Sequence, residues 1–485
     1  MYFDVLAMKP QDLPDNLYFG GGAQETIITP TAIGLFVVCL LLTLILPRKY
    51  AIIPFLLGAL LIPLQEVIVV AGLHLMIYRL LLLGGWARIL WIWLSTGRNV
   101  FPKLNVLDKV FLAWAISNAT TYVLLWGTGA IVNRLGFLYT TLGAYFWLRY
   151  LIRDRDDVVR AIKVLSVATA FMAAGMFVEH LHGVNQFYLY LAGVLKHADI
   201  REGRIRAQGP FLHSIIAGTF AAMLVPLFLL LWKERKENRF FSVMGVVASS
   251  VIALTCASST PLMTYAAGVI GLCLWFARRN MRAVRWGIIA ALIALQVTMN
   301  APIWFVFARL GGVMGGTGWH RSELIDQFVH RIGDWWLVGA RDSATWGMDM
   351  WDCIDAYVRA GVDGGLVTFV LFISLIVLAY KKIGRARKIA EHNRSNERVL
   401  WAIGASLFAN TVAFFGIIYF DQSVLAWYTL LVMISATSTS VIAERRERLN
   451  RKDGHSGEAV SLPTDKVESE AELVGTRHFA IGPIC

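Results

Sequence analysis

Two polar stretches interrupt an otherwise apolar chain, REGRIRAQGPFLHSIIAG at residues 201–218 and WHRSELIDQFVHRIGDWWLVGARDSATWGMDMWDCIDAYVRAGVDGGL at residues 319–366. In the first, Arg201, Arg204 and Arg206 precede Gly209 and Pro210, and His213 opens the apolar run that follows. A guanidinium is a rigid, permanently charged fork that meets two phosphate oxygens at once, so closely spaced arginines suit a phosphate or diphosphate. The second stretch carries Arg321 and ends on Asp352, Asp355, Arg359 and Asp363 at the mouth of another apolar run. Transfer of a group away from a diphosphate needs the leaving charge stabilised and an attacking hydroxyl deprotonated. Asp355, Asp352, Glu323 and His213 have the right chemistry to accept that proton, all expected at external helix ends. The bland readings are surface arginines that snorkel, solvated or capping acids, and an Asp355–Arg359 ion pair at i,i+4 spacing. His320 and His330 are ten residues apart and His180 and His182 two apart, so neither pair has the i,i+4 spacing of a helical metal motif, and no metal or other cofactor is expected.

The elements that must position these residues are membrane helices. A chain of 485 residues that is 57% hydrophobic and 16% charged, with mean hydropathy +0.59, cannot present an ordinary polar surface to water. Apolar runs fall near 28–46, 51–72, 74–95, 107–128, 134–152, 159–178, 212–232, 241–257, 260–277, 284–307, 364–380, 399–419 and 423–443. They predict an all-α, polytopic membrane protein with about 12–13 crossings, each run being long enough to span the hydrocarbon as a helix. Gln65, Glu66 and Arg79 interrupt the second and third runs, which could form one kinked or re-entrant hairpin.

Lys/Arg clusters occur at every second loop, among them Arg149 to Arg160, Lys233 to Arg239, Lys381 to Lys388 and Arg445 to Lys452. The positive-inside rule puts these loops in the cytoplasm and puts residues 179–211 and 308–363 on the opposite face. Arginines 201, 204 and 206 therefore sit where the rule removes basic residues, and an anionic ligand would account for them. The same bias explains the net charge of +12 by contact with anionic membrane lipid, without nucleic acid. Residues 319–333 have the periodicity of an amphipathic helix near the surface, and five tryptophans (Trp319, Trp335, Trp336, Trp346, Trp351) suit an interfacial belt or stacking on sugar faces. Of five scattered cysteines, Cys39, Cys256 and Cys273 read as small core residues. The expected organisation is an N-terminal segment 1–27, a transmembrane domain 28–446 with a long external loop 308–363, and a disordered cytoplasmic tail 447–485. No cleavable signal peptide is expected.

Three blocks carry a family resemblance. RAQGPFLHSIIAG, HRSELIDQFVHRIGDWWLVGAR and IDAYVRAGVDGGL resemble, in order and spacing, the blocks of the O-antigen ligase and O-antigen polymerase superfamily of bacterial polytopic glycosyltransferases. The resemblance implies transfer of a glycan from an undecaprenyl-diphosphate carrier to a lipid, protein or glycan acceptor, at the periplasmic face of the inner membrane and without nucleotide sugar or metal. It places Arg206 and Arg321 at the diphosphate; Tyr357 and Gly365 fall on the family's Tyr and Gly. Arg204, Arg341 and Tyr357 complete the expected binding set. The chain departs from the pattern where ligases carry a histidine, which is Ile354 here, followed by Asp355 in place of Asn; Ser258, Ser259 and Thr260 stand where a second arginine is common. Asp355 or Asp352 is then the expected substitute for the missing histidine. The alternatives are a noncatalytic membrane component of a polysaccharide assembly or export complex, and a lipid-linked glycan transporter.

Overall fold

The computed structural model describes residues 26–70, 73–97, 100–201, 203–306, 308, 318–420 and 422–453. The expected N-terminal segment, up to residue 25, and the expected tail beyond Asp453 lie outside the described residues. The chain divides into two units, 1–440 and 441–485. Of the second, what is described is the end of a helix that continues to Asp453, past the point where a disordered tail was expected to begin.

Every apolar run overlaps a helix. In chain order these are α1 (Pro30–Ile45), α2 (Arg48–Leu61), α3 (Ile77–Thr96), α4 (Val106–Trp126), α5 (Ile131–Leu151), α6 (Arg155–His182), the short α7 (Gln186–Leu191), α8 (Ser214–Glu234), α9 (Arg239–Thr255), α10 (Ser259–Cys273), α11 (Met281–Thr298), α12 (Gly318–His330), α13 (Ala356–Ile389), α14 (Arg394–Ala413) and α15 (Val424–Asp453). Polar caps fix several starts: Asn105 and Asp108 form a capping box on α4, Asp154 caps α6, and Asn393 caps α14. Among the described residues, seven helical segments are long and apolar enough to cross a membrane, which makes this an all-α, multi-pass membrane protein. α1 and α2, at 16 and 14 residues, fall short of that length.

The second run is where the expectation and the structure part. Its helix stops at Leu61, and the chain then forms an antiparallel pair of strands, β1 (Val67–Val70) and β2 (Leu73–Met76). Pro63 ends the helix and the β-branched VIVV favours a strand. Glu66, fully buried, accepts a hydrogen bond from the Thr29 backbone N–H at 2.9 Å and ties the hairpin to the start of α1. A second small pair, β3 (Asp199–Arg201) and β4 (Arg204–Arg206), carries the arginines of the first polar stretch. Cys273, expected in the core, is exposed, whereas Cys39, Cys256 and Cys353 are buried.

Helix ends that share a predicted side also share bonds. At one end Arg48 pairs with Asp157 at 2.7 Å, Arg155 with Glu234 at 2.7 Å, and Arg278 with Glu397 at 3.4 Å. At the other, the Ala207 N–H donates to Thr255 O at 3.0 Å, the Ala356 N–H to Phe414 O at 2.8 Å, and Gln422 Nε2 to Pro210 O at 3.1 Å. Between these ends α8 is buried along almost its whole length and packs on α9, α10 and α14, while α11 has no buried residue.

Candidate anion-binding site

Arg206 is placed by a buried carboxylate that sequence reasoning missed. Glu179, near the end of α6 and fully buried, accepts hydrogen bonds from the Gln208 N–H at 3.1 Å, the Gly209 N–H at 2.9 Å and Asn185 Nδ2 at 3.1 Å. Asn185 also donates to Gly209 O at 2.8 Å. This clamp bends the chain through Gly209, whose φ of +59° lies in the left-handed region that glycine enters freely, and sets β4 against the end of α9. The half-buried Arg206 guanidinium is then close enough to Cys256 and to His213 to act on both electrostatically. An acid in the otherwise apolar FMAAGMFVEHLH was the signal in the sequence, because such a charge inside an apolar run needs a partner.

Arg321 reaches the same turn from α12. It is 6% exposed, its Nη2 donates to Thr260 Oγ1 at 2.7 Å, and its Nε is buried with no hydrogen-bond partner. Gly416 lies so close that a Cβ there would stand 3.3 Å from the Arg321 Cζ. Burial pulls its pKa down, the nearby Asp355 carboxylate opposes that, and Arg201 adds to it. Arg206 and Arg321, 115 positions apart in sequence, thus both approach residues 255–260, where Thr260 occupies the block in which a second arginine was expected.

Asp355 completes the group. It caps α13, its Oδ1 accepting from the Tyr357 N–H at 2.7 Å and the Val358 N–H at 3.0 Å. Its Oδ2 is buried and has no hydrogen-bond partner, and the residue is fully buried. Burial pushes its pKa up to about 7 against the pull of those two N–H groups and of Arg321. The Asp355–Arg359 ion pair of the bland reading does not form. Asp355 turns back to cap its own helix, and Arg359 Nε donates to Asp363 Oδ2 at 2.8 Å.

The other expected residues divide. His213 joins the group: it is half-buried at the start of α8, its ring 5.8 Å from that of Phe420, and burial lowers its pKa to about 4, so it is uncharged at neutral pH. Glu323 is half-buried on α12 and accepts from Gln327 Nε2 at 2.8 Å. Asp352 is exposed. Arg204 is exposed on β4 opposite Arg201. Arg341 is committed elsewhere, its Nε donating to Leu125 O at the end of α4 at 2.9 Å. Tyr357 serves as an anchor, its hydroxyl donating to Thr411 O at 2.9 Å and its ring 4.6 Å from Phe415.

The segment after α12 has a small core of its own. Leu324, Phe328, Trp335, Trp346, Met350 and Val358 pack together, with the Phe328 and Trp335 rings stacked at 3.9 Å. Two of the five tryptophans expected at an interface are therefore core residues, while Trp319, Trp336 and Trp351 stay exposed. The turn that follows docks on α13 where that helix breaks. At Gly365 φ is +70° and the ladder is interrupted, and the Leu366 N–H donates instead to Trp336 O at 2.8 Å. All three resemblance blocks thus border one end of the bundle. No known family model matches the chain, and no characterised protein sequence matches it.

Proposed function

We propose that this chain is a lipid-linked glycan transferase of the ligase or polymerase type, spanning a bacterial inner membrane about 12–13 times with residues 308–363 on the periplasmic side. The observation that carries the reading is that Arg206 and Arg321, from distant elements, both approach the 255–260 turn, with the buried, half-partnered Asp355 carboxylate near Arg321. In this reading Arg206 and Arg321 hold the diphosphate of an undecaprenyl-diphosphate-linked glycan and stabilise the charge that builds on it. Asp355 Oδ2 accepts the proton of the acceptor hydroxyl as that oxygen bonds to the anomeric carbon. The anomeric C–O bond to phosphorus breaks, its electron pair stays on the diphosphate, and configuration at that carbon inverts. Asp355 takes the place of the histidine that Ile354 replaces in the ligase pattern.

The test is transfer in proteoliposomes from a purified lipid-linked glycan to an acceptor. Arg206→Ala and Arg321→Ala are each expected to lower the rate by about 10²–10³-fold, with the protein still inserted. Wild-type rates in both variants would overturn the reading. A second reading, a noncatalytic component of a polysaccharide assembly complex, is favoured by the complete burial of Asp355 and its use as a helix cap. It expects no transfer by the parent protein and loss of complex assembly in the same variants. Movement of lipid-linked glycan across the bilayer without transfer would favour a transporter.

A further inference from the structure

A cavity of about 500 Å³ opens at the other end of the bundle, away from the arginine pair. Its walls come from the first turns of α6, the connection between α8 and α9, and the start of α14, and the charged side chains on them are four cations and three carboxylates. One pair is internal: Arg155 Nη2 grips both Glu234 carboxylate oxygens at 2.7 and 2.8 Å and also meets Ser395 Oγ at 2.6 Å. Arg160 leans on Asp157 at 2.5 Å, a carboxylate that also holds Arg48 at 2.7 Å, so two arginines share one carboxylate. Arg160, Lys163 and Arg235 then face the cavity against Asp156 and Glu237. A bare anion would meet two carboxylates in such a lining and a bare cation three basic groups. A ligand carrying a phosphate and a protonated amine a few bonds apart satisfies both.

The level of the cavity points to a lipid as the source. Trp232 and Phe240 flank the α8–α9 connection and are 42% and 69% exposed, and Arg239 lies 5.1 Å from the Trp232 ring centre. Exposed aromatics at a helix end mark the headgroup level of a bilayer. Lys163, eight residues into α6, lies about 12 Å along that helix from Arg155 and 5.4 Å from the Phe241 ring centre, as a lysine does when its stem crosses apolar surface toward a polar mouth. We propose that this cavity binds the headgroup of an aminophospholipid, with phosphate against Arg160, Lys163 and Arg235 and ammonium against Asp156 and Glu237. The site is independent of the transfer reaction, and its occupancy ties the α8–α9 connection to α6.

The experiment compares lipid retention by the purified full chain in mixed micelles by native mass spectrometry, using phosphatidylethanolamine, phosphatidylglycerol and phosphatidylcholine, with soluble phosphoethanolamine and inorganic phosphate as competitors. Phosphatidylethanolamine is expected to be retained about fivefold over the other two. Arg235→Gln together with Lys163→Gln should lower retention of all three lipids. Asp156→Asn with Glu237→Gln should remove only the preference for the amine over the quaternary headgroup. Arg235 and Glu237 lie on an exposed connection, so variants confined to them, Arg235→Gln and Glu237→Gln, test each half with the fold intact. Equal retention of the three lipids, or a preference unchanged in the variants, overturns the proposal. Displacement of the lipid by phosphoethanolamine or phosphate at equal concentration identifies a soluble ligand and overturns the assignment to lipid.

Discussion

Asp355 shows what burial does to a single carboxylate. One oxygen is satisfied by two backbone N–H groups and the other by none, and burial of the carboxyl drives its pKa up to about 7 against the pull of those two bonds. Since the folded value lies above the ordinary aspartate value of 3.8, the native state holds this proton more tightly than the unfolded chain does. The stability it contributes is full below about pH 4 and is lost as pH rises through about 7. Asp355→Asn keeps the cap, because Asn is as good an N-cap as Asp, and it has no charge to desolvate. It is expected to melt no lower than the parent at pH 8, while transfer falls by about 10²-fold or more. In the parent, the transfer rate should rise with pH through about 7 as the carboxylate sheds its proton. A variant within a few-fold of parental rate, or a parental rate flat from pH 5 to 8, rules out Asp355 as the base. Thr260 offers a second check on a single bond: Thr260→Val removes the acceptor of a buried guanidinium and should cost about 1.5–3 kcal/mol in thermal or denaturant melts, whereas Thr260→Ser should cost far less.

At the scale of elements, the arginines are only as well placed as the turns that carry them. Glu179→Ala would strand three donors, the Gln208 and Gly209 N–H groups and Asn185 Nδ2, at about 1–3 kcal/mol for each that water cannot reach. Its melting temperature should drop, and the Arg206 side should lose transfer even though Arg206 itself is untouched. Gly365→Ala tests the break in α13: a Cβ there would stand 2.6 Å from Leu337 O, at a φ of +70° that costs an L-residue about 1–2 kcal/mol, so the 336–340 turn must move. Far-ultraviolet dichroism should change little and the unfolding midpoint should fall. Much of this architecture is legible in the sequence, because a 20-residue apolar run admits almost no solution but a helix, and arginines in loops expected to be poor in positive charge stand out against a strong statistical rule. The β1–β2 hairpin is not legible, since VIVV and LHLM read as continuing apolar sequence. Neither is the Glu179 clamp, whose partners lie up to 30 residues away, nor the core of the segment after α12, because a tryptophan such as Trp335 has the same composition whether it faces lipid or Phe328.

Bonds between helix ends that lie far apart in sequence constrain the threading of α6 to α14. Thr260 follows α9, and Arg321 follows α10 and α11, yet the two side chains meet at 2.7 Å. Both intervening helices must therefore cross, or neither. The same parity holds for Ala356 against Phe414, separated by α13 and α14, and for Arg155 against Glu234, separated by α6 and α8. Since α6, α8 and α13 are each long and apolar enough to span, crossing satisfies the second and third constraints, and α10 and α11 together form one 40-residue apolar segment; in the proposed topology the Lys/Arg bias assigns the sides. Single cysteines test this in intact cells after Cys273, which is exposed, and Cys485 are replaced by Ser. Cysteines at the exposed positions 204 and 341 are expected to react with a membrane-impermeant maleimide added outside, and cysteines at the exposed positions 237 and 391 only after the membrane is permeabilised. If positions 204 and 341 are labelled from opposite sides, the arginines cannot share a site and the transferase reading fails with the topology. If all four are reversed together, the helix packing stands and only the assignment of the site to the periplasmic face falls.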